Sequence, residues 1–208
     1  RYPHRNGVTG FNPINDDCPM LPEILHQAGY LNGILSKEMH VAPAARCHWS
    51  QCWTQKEAKS RDPAAFAMQS RAFFTKAAES RKPFFLMANT NAPHRPFQAG
   101  LDRFAMDVRP DQADLPPFLP DLPDIRSELA QYFASVSIAD RTIGAILDEL
   151  KRSGMEGDTL VVFLSDNGMA FPFAKSNCYR ASTRTPITLR WPGHLKPRVD
   201  RDHFVTSM

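Results

Sequence analysis

Four short apolar runs, each bounded by turn-forming residues, punctuate the chain at 29–35, 83–89, 159–165 and 186–191. None alternates cleanly with polar residues, so they predict strands buried on both faces of a mostly parallel sheet. Between them the apolar spacing lengthens to three and four. Residues 21–28 put Leu21, Ile24, Leu25 and Ala28 on one helical face before Gly29. Residues 63–80 offer Phe66, Met68, Phe73, Phe74 and Ala77 for burial. Residues 125–153 repeat Leu129, Phe133, Val136, Ile143, Ile146, Leu147 and Leu150, with Gly154 as a natural stop. The order helix, strand, helix, strand, helix, strand, strand predicts a layered α/β domain.

Composition narrows the class without changing it. The chain has 208 residues, 42% hydrophobic and 23% charged, enough for one domain with a core. A net charge of +3 without a basic stripe argues against nucleic acid. No apolar run approaches the roughly 18 residues a membrane span needs, and no signal-peptide pattern is present. Prolines cluster at Pro110, Pro116, Pro117, Pro120 and Pro123, but Leu115, Phe118, Leu119 and Leu122 interleave with them. That mixture predicts an irregular, packed loop rather than disorder. The cysteines Cys18, Cys47, Cys52 and Cys178 form no zinc-type pair, even with His48 between two of them, and read as free or incidentally paired thiols.

In α/β sheets, ligands sit beyond the carboxyl ends of the strands. After the first run comes Ser36-Lys37-Glu38-Met39-His40, and after the second comes Asn91-Ala92-Pro93-His94-Arg95-Pro96. After the third comes Ser165-Asp166-Asn167-Gly168, followed by Lys175. Each piece alone has an ordinary reading: a solvated lysine, a loop histidine, an Asx turn. Together they deliver cations and proton-transfer groups beside a carboxylate and an amide carbonyl, hard oxygen donors suited to calcium or magnesium. Such a set fits an anionic oxyester better than a neutral substrate.

These residues resemble the sulfatase family, within the alkaline-phosphatase-like superfamily, over nearly the whole chain. Arg1-Tyr2-Pro3-His4-Arg5-Asn6-Gly7-Val8 is similar to the segment that follows the family's nucleophile motif. The resemblance continues through Leu21 to Tyr30 with Lys37 and His40, and Pro83-Phe84-Phe85-Leu86 with Pro93-His94. It ends with residues 159–168, its most specific part, and Arg184-Thr185-Pro186 with Trp191-Pro192-Gly193. His40-Val41-Ala42-Pro43, Phe171-Pro172, Lys175, Asn177 and Tyr179 resemble the heparan N-sulfatase (sulfamidase) branch.

The resemblance implies a three-layer fold, a mixed and mostly parallel sheet flanked by helices, as one catalytic domain incomplete at both ends. It implies hydrolysis of a sulfate ester or sulfamate on a sulfated glycan or related small molecule, and export to the periplasm or the cell exterior. Residue by residue, Asp166 and Asn167 would bind calcium, and Lys37 and Lys175 would hold sulfate oxygens. His40 would bond the nucleophile region, and His94 would bind sulfate or protonate the leaving group. The family's nucleophile is a Cys or Ser oxidised to formylglycine.

Departures qualify it. Two residues, Glu38 and Met39, separate Lys37 from His40 where the family has one, which on an extended chain turns His40 to the other face unless a bulge restores it. Ser36 replaces a glycine, and Ala181-Ser182-Thr183 replace a further family element. The nucleophile motif and the N-terminal Asp pair of the metal site are not found in these 208 residues. The chain as it stands is therefore expected not to turn over substrate, to bind calcium poorly, and to be prone to self-association through an unpaired strand edge. Two other readings are a phosphodiesterase or phosphonate hydrolase of the same superfamily, and a non-catalytic protein that binds sulfated glycans. The former would need extra ligands, of which only His194 and His203 occur late in the chain, without the expected spacing.

Overall fold

A computed structural model of the chain describes residues 3–8, 12–59, 61–97, 108–203 and 205. They divide into two compact units, the first drawn from 1–91 and 140–153, the second from 92–139 and 154–207.

The first unit is built on three parallel strands, β1 (Leu31–Leu35), β2 (Trp49–Trp53) and β3 (Phe84–Ala88), with β1 in the middle. As predicted for a strand covered on both faces, β1 is buried, with Ile34 and Leu35 fully so. Its one polar member, Asn32, is buried too. Its amide Nδ2 donates to the carbonyls of Pro22 at 2.7 Å and Cys47 at 2.8 Å, tying the segments before and after the strand to the sheet. At Gly33 the pairing with β2 slips by one residue, and a Cβ there would stand 2.3 Å from the Phe73 ring. Glycine is therefore what lets helix α2 lie against the sheet. Strand β2 has no counterpart in the sequence reading, because its Ser50, Gln51 and Cys52 break the apolar run that marks the other strands.

Helix α2 (Pro63–Ser80) keeps its predicted bounds. Asp62 caps it by accepting the Ala64 amide at 2.9 Å, and Pro63 fits the first turn, where no amide is needed. Phe66, Phe73, Phe74 and Ala77 are buried, but Met68 is exposed, on the opposite face. Helix α1 (Leu21–Gln27) departs further: Leu21 and Ile24 are exposed and only Pro22 is buried. Polar bonds hold it instead, through Asn32 to the Pro22 carbonyl and through Glu23 to Arg46 at 2.6 Å. Helix α3 (Pro123–Arg152) gives its last turns to this unit. There Ile146 packs on Leu35, Ala58 and Phe66, and Arg71 bonds the buried Glu149 at 2.8 Å. That hydrogen bond holds the Glu149 carboxyl below the usual carboxylate range. Gly154, at φ 74°, follows the end of α3 as predicted.

The second unit buries Phe97, Ala113, Leu119, Leu129 and Phe171 together, with Leu115, Phe118, Tyr132 and Phe133 packed around them. The proline-rich loop is thus part of a core, although Leu122 faces solvent. Strands β4 (Val161–Leu164) and β5 (Ile187–Arg190) correct the expectation of buried parallel strands. They pair antiparallel, and Val162, Phe163, Leu164, Ile187 and Leu189 are exposed. An apolar run signals a strand but carries no information about its pairing direction or what covers it.

The close approach at Gly33 generates a prediction. Gly33→Ala should cost about 1–3 kcal/mol in urea denaturation, and Phe73→Leu in the same chain should recover part of it. Equal stability of Gly33→Ala and the parent would show that the ring is not what excludes a side chain.

Candidate active site

In the first unit the chain leaves the carboxyl end of β1 through two consecutive residues in left-handed backbone, Ser36 at φ 62° and Lys37 at φ 55°. Left-handed non-glycine residues are each strained by about 1–3 kcal/mol, so their neighbours must hold them. The Ser36 amide donates to the Trp53 carbonyl at 2.8 Å, and the Asn89 amide donates to Leu35 at 2.9 Å. The Asn89 side chain then donates to the Ser36 carbonyl at 3.1 Å. The ends of β2 and β3 therefore clamp the turn from both sides. The positive φ accounts for the glycine that the sulfatase pattern has at this position. Here the serine hydroxyl is fully buried and has no hydrogen-bond partner among the described residues.

The two-residue gap between Lys37 and His40 has a different consequence from the one expected of an extended chain. Glu38–His40 form a 3₁₀ turn, and the His40 amide donates to the Lys37 carbonyl at 2.9 Å. The extra residue is absorbed by curling, so strand parity does not apply and Lys37 and His40 belong to one turn. His40 also lines a small, mostly apolar cavity of about 160 Å³ with Val8, Ile14, Met20 and Val41.

In the second unit, Asp166 and Asn167 follow β4 in a turn tied to itself and to the chain behind it. Ser165 Oγ donates to the Asn167 carbonyl at 2.8 Å, and the Asn167 amide Nδ2 donates to the Gly168 carbonyl at 2.7 Å. With its nitrogen so engaged, Asn167 has its Oδ1 to offer a cation. Asp166 is exposed and adds carboxylate oxygens. A Cβ on Gly168 would meet the Ala181 carbonyl at 2.1 Å and the Ala174 carbonyl at 2.4 Å, so only glycine permits this turn. The donor set is of the hard-oxygen kind and fits calcium. Two residues cannot complete a shell of six to eight, and no group of three metal-binding side chains occurs among the described residues.

His94 is joined to this turn by a residue that the sequence reading passed over. The Arg95 Nε donates to the Ala170 carbonyl at 2.8 Å, and its guanidinium also pairs with Glu128. It lies 4.6 Å from the Phe97 ring centre and 5.1 Å from that of Phe171, two rings stacked 5.7 Å apart. Phe171 and Ala170 lie in the same segment that carries Asp166, Asn167 and Lys175. Arg95 thus laces the loop of His94 to the segment of Asp166 and Asn167 by a hydrogen bond, an ion pair and ring contacts. The hydrogen bond from Arg95 also keeps Glu128 below the usual carboxylate range. The clue was the string Arg95-Pro96-Phe97, a cation beside an aromatic, which is too common to be read alone. His94 Nδ1 stands 2.6 Å from the Arg95 carbonyl oxygen. A carbonyl only accepts, so in this contact Nδ1 carries the proton.

Lys175 sits half-buried further along the same segment, next to the fully buried Ala174. The predicted residues thus fall into two groups, Lys37 with His40 in one unit, and His94, Asp166, Asn167 and Lys175 in the other.

The Arg95 contacts predict unequal losses. In urea denaturation, Glu128→Gln should cost under about 1 kcal/mol, as a half-exposed pair does. Arg95→Met should cost roughly 1–3 kcal/mol, because the Ala170 carbonyl and both rings lose their partner as well. Equal costs would mean that the ion pair alone carries the lacing.

Comparison with known proteins bears on this geometry. The sequence profile of one family, Sulfatase, matches residues 1–208. Human N-sulphoglucosamine sulphohydrolase is 30% identical over 225 residues, which cover 93% of this chain and 44% of that protein. An endo-4-O-sulfatase of Bacteroides thetaiotaomicron is 34% identical over 134 residues, covering 59% of this chain and 26% of that one. Among solved structures, a protein from a glycosaminoglycan-metabolism locus of the same bacterium superposes with a TM-score of 0.75 at 21% identity, over 96% of this chain and 54% of that one. Another, solved with its substrate D-glucosamine-2-N,6-O-disulfate, reaches a TM-score of 0.67 at 17% identity, over 92% and 59%. The chain spans less than half the length of these curated relatives and a little over half that of these structures.

Proposed function

Because the chain belongs to the sulfatase family, we propose that the whole protein hydrolyses a sulfate ester or sulfamate on a sulfated sugar. The observation that carries this reading is the union, through Arg95, of a proton-transfer histidine with a turn offering two hard oxygen donors. The relatives named above add to it, since one acts on N-sulphoglucosamine by name and another was solved with a sulfated glucosamine.

In this reading Asp166 and Asn167 supply part of a calcium site. The ion, when bound, offsets charge that develops on the sulfate oxygens. Lys37 and Lys175 do the same by direct donation, and each is half-buried, where a cation acts through less water than at an open surface. The strained turn after β1 fixes the backbone from which Lys37 reaches. His40 bonds the region of the nucleophile, a formylglycine whose motif is not found in these 208 residues. His94, with Nδ1 held by the Arg95 carbonyl, presents Nε2 as the atom that gives a proton to the leaving oxygen or nitrogen. The superfamily alternative with two transition metals finds little here. The His194 ring stacks on Trp191 at 4.2 Å, and His203 pairs with Asp200 at 2.9 Å within its own turn.

The test is direct. The full-length protein, co-expressed with a formylglycine-generating enzyme, should hydrolyse an aryl sulfate much faster than the matching aryl phosphate; the opposite order would assign the site to phosphate esters. His94→Ala should slow turnover by roughly 10²–10⁴-fold for leaving groups that need a proton, and less for good ones such as nitrophenolate. Equal slowing across leaving groups would make His94 a binding residue.

A further inference from the structure

The segment that carries Asp166, Asn167 and Lys175 also displays two aromatic rings that the reaction does not use. Phe173 is 52% exposed and Tyr179 is 60% exposed, and their rings meet edge to face, 5.7 Å between centres at 67°. Phe171, only two residues before Phe173, shows what a packing aromatic looks like in the same segment: it is 3% exposed and stacked in the core. Phe173 is held outward by left-handed backbone at φ 64°, a conformation that disfavours a bulky side chain and that burial does not compensate here.

Lys175 lies between the two rings in sequence, and Asn177 sets the spacing. Its Nδ2 donates to the Lys175 carbonyl at 2.9 Å, while its Oδ1 accepts the Tyr179 amide at 2.9 Å. One side chain therefore fixes the backbone that bears the cation and the backbone that bears the ring. Tyr179 is further fixed because its carbonyl accepts the amides of Ser182 and Thr183 as helix α4 (Arg180–Thr183) begins. The result is a corner of two exposed rings on the segment that carries Lys175.

We propose that Phe173 and Tyr179 form a stacking subsite for the pyranose ring of a sulfated sugar whose anionic group Lys175 engages. A pyranose presents an apolar face of C–H groups, which suits the electron-rich face of an aromatic ring, and its sulfate suits a neighbouring cation. An aryl or alkyl sulfate without a sugar would need the cation but not the corner, so the rings set preference among sulfated substrates. This inference rests on the sulfated-sugar reading of the site.

Calorimetric titration of the full-length protein separates the two. The probes are D-glucosamine-2-N,6-O-disulfate and inorganic sulfate, against the parent, Phe173→Ala, Tyr179→Ala and Tyr179→Phe. Each alanine variant should bind the sugar roughly three- to tenfold more weakly while its sulfate affinity is unchanged, and Tyr179→Phe should match the parent. Alanine at 173 keeps a Cβ on the same backbone, and both side chains are exposed, so folding is little affected. Unchanged sugar affinity in both alanine variants overturns the subsite, as does a parallel loss of sulfate affinity, which would make the rings a support for Lys175. If the parent binds no sugar, the subsite is likewise overturned. If the parent binds the sugar in this pattern yet leaves it intact, the subsite stands and the hydrolase reading fails.

Discussion

Strands that end at the rim of a sheet leave amides and carbonyls without a ladder partner, and the means of satisfying those groups decides where this protein's chemistry-bearing side chains go. At the end of β1 the solution is a left-handed pair, Ser36 and Lys37, held by Trp53 from one neighbouring strand and Asn89 from the other. After β4 the solution is a self-bonded turn through Ser165 and Asn167, closed against chain that only Gly168 can approach. In both places backbone satisfaction and side-chain presentation are one event. A lysine or an amide oxygen is aimed because the peptide next to it is anchored.

Arg95 adds a second kind of constraint. A guanidinium can donate in its plane and receive rings on its faces at once, and here it does both. The Ala170 carbonyl and Glu128 occupy its edge, while Phe97 and Phe171 lie within ring-contact distance. Loops far apart in sequence are thereby fixed to each other, and through Glu128 to α3. The same division of labour recurs further along the segment, where Asn177 spaces a cation and an aromatic ring.

Among the described residues, helices α1, α2 and α3 were legible from their spacing and four of the five strands from their apolar runs, whereas the short α4 was not. Helix α2 falls on its predicted bounds, with Asp62 and Pro63 announcing its start. Legibility failed where burial was not what held an element. Polar bonds to Asn32 and Arg46 anchor α1, so its apolar positions stay exposed, and β2 lacks an apolar run. The antiparallel pairing of β4 with β5 was out of reach for another reason, since a strand's residues are the same whichever way its partner runs.

The candidate residues were readable as types: hard oxygen donors at Asp166 and Asn167, cations at Lys37 and Lys175, proton carriers at His40 and His94. By itself the sequence determined which chemical groups follow each strand, and hence the family the chain resembles. Only the tertiary structure decided that His40 curls back to Lys37 through a 3₁₀ turn. It alone decided that Arg95 binds the loop of His94 to the segment that carries Asp166 and Asn167, and that Phe171 is buried while Phe173 is not. The physical reason is common to all three. Side-chain identity is local, but a dihedral under strain, a shared guanidinium and the burial of a ring depend on which distant atoms complete the contact.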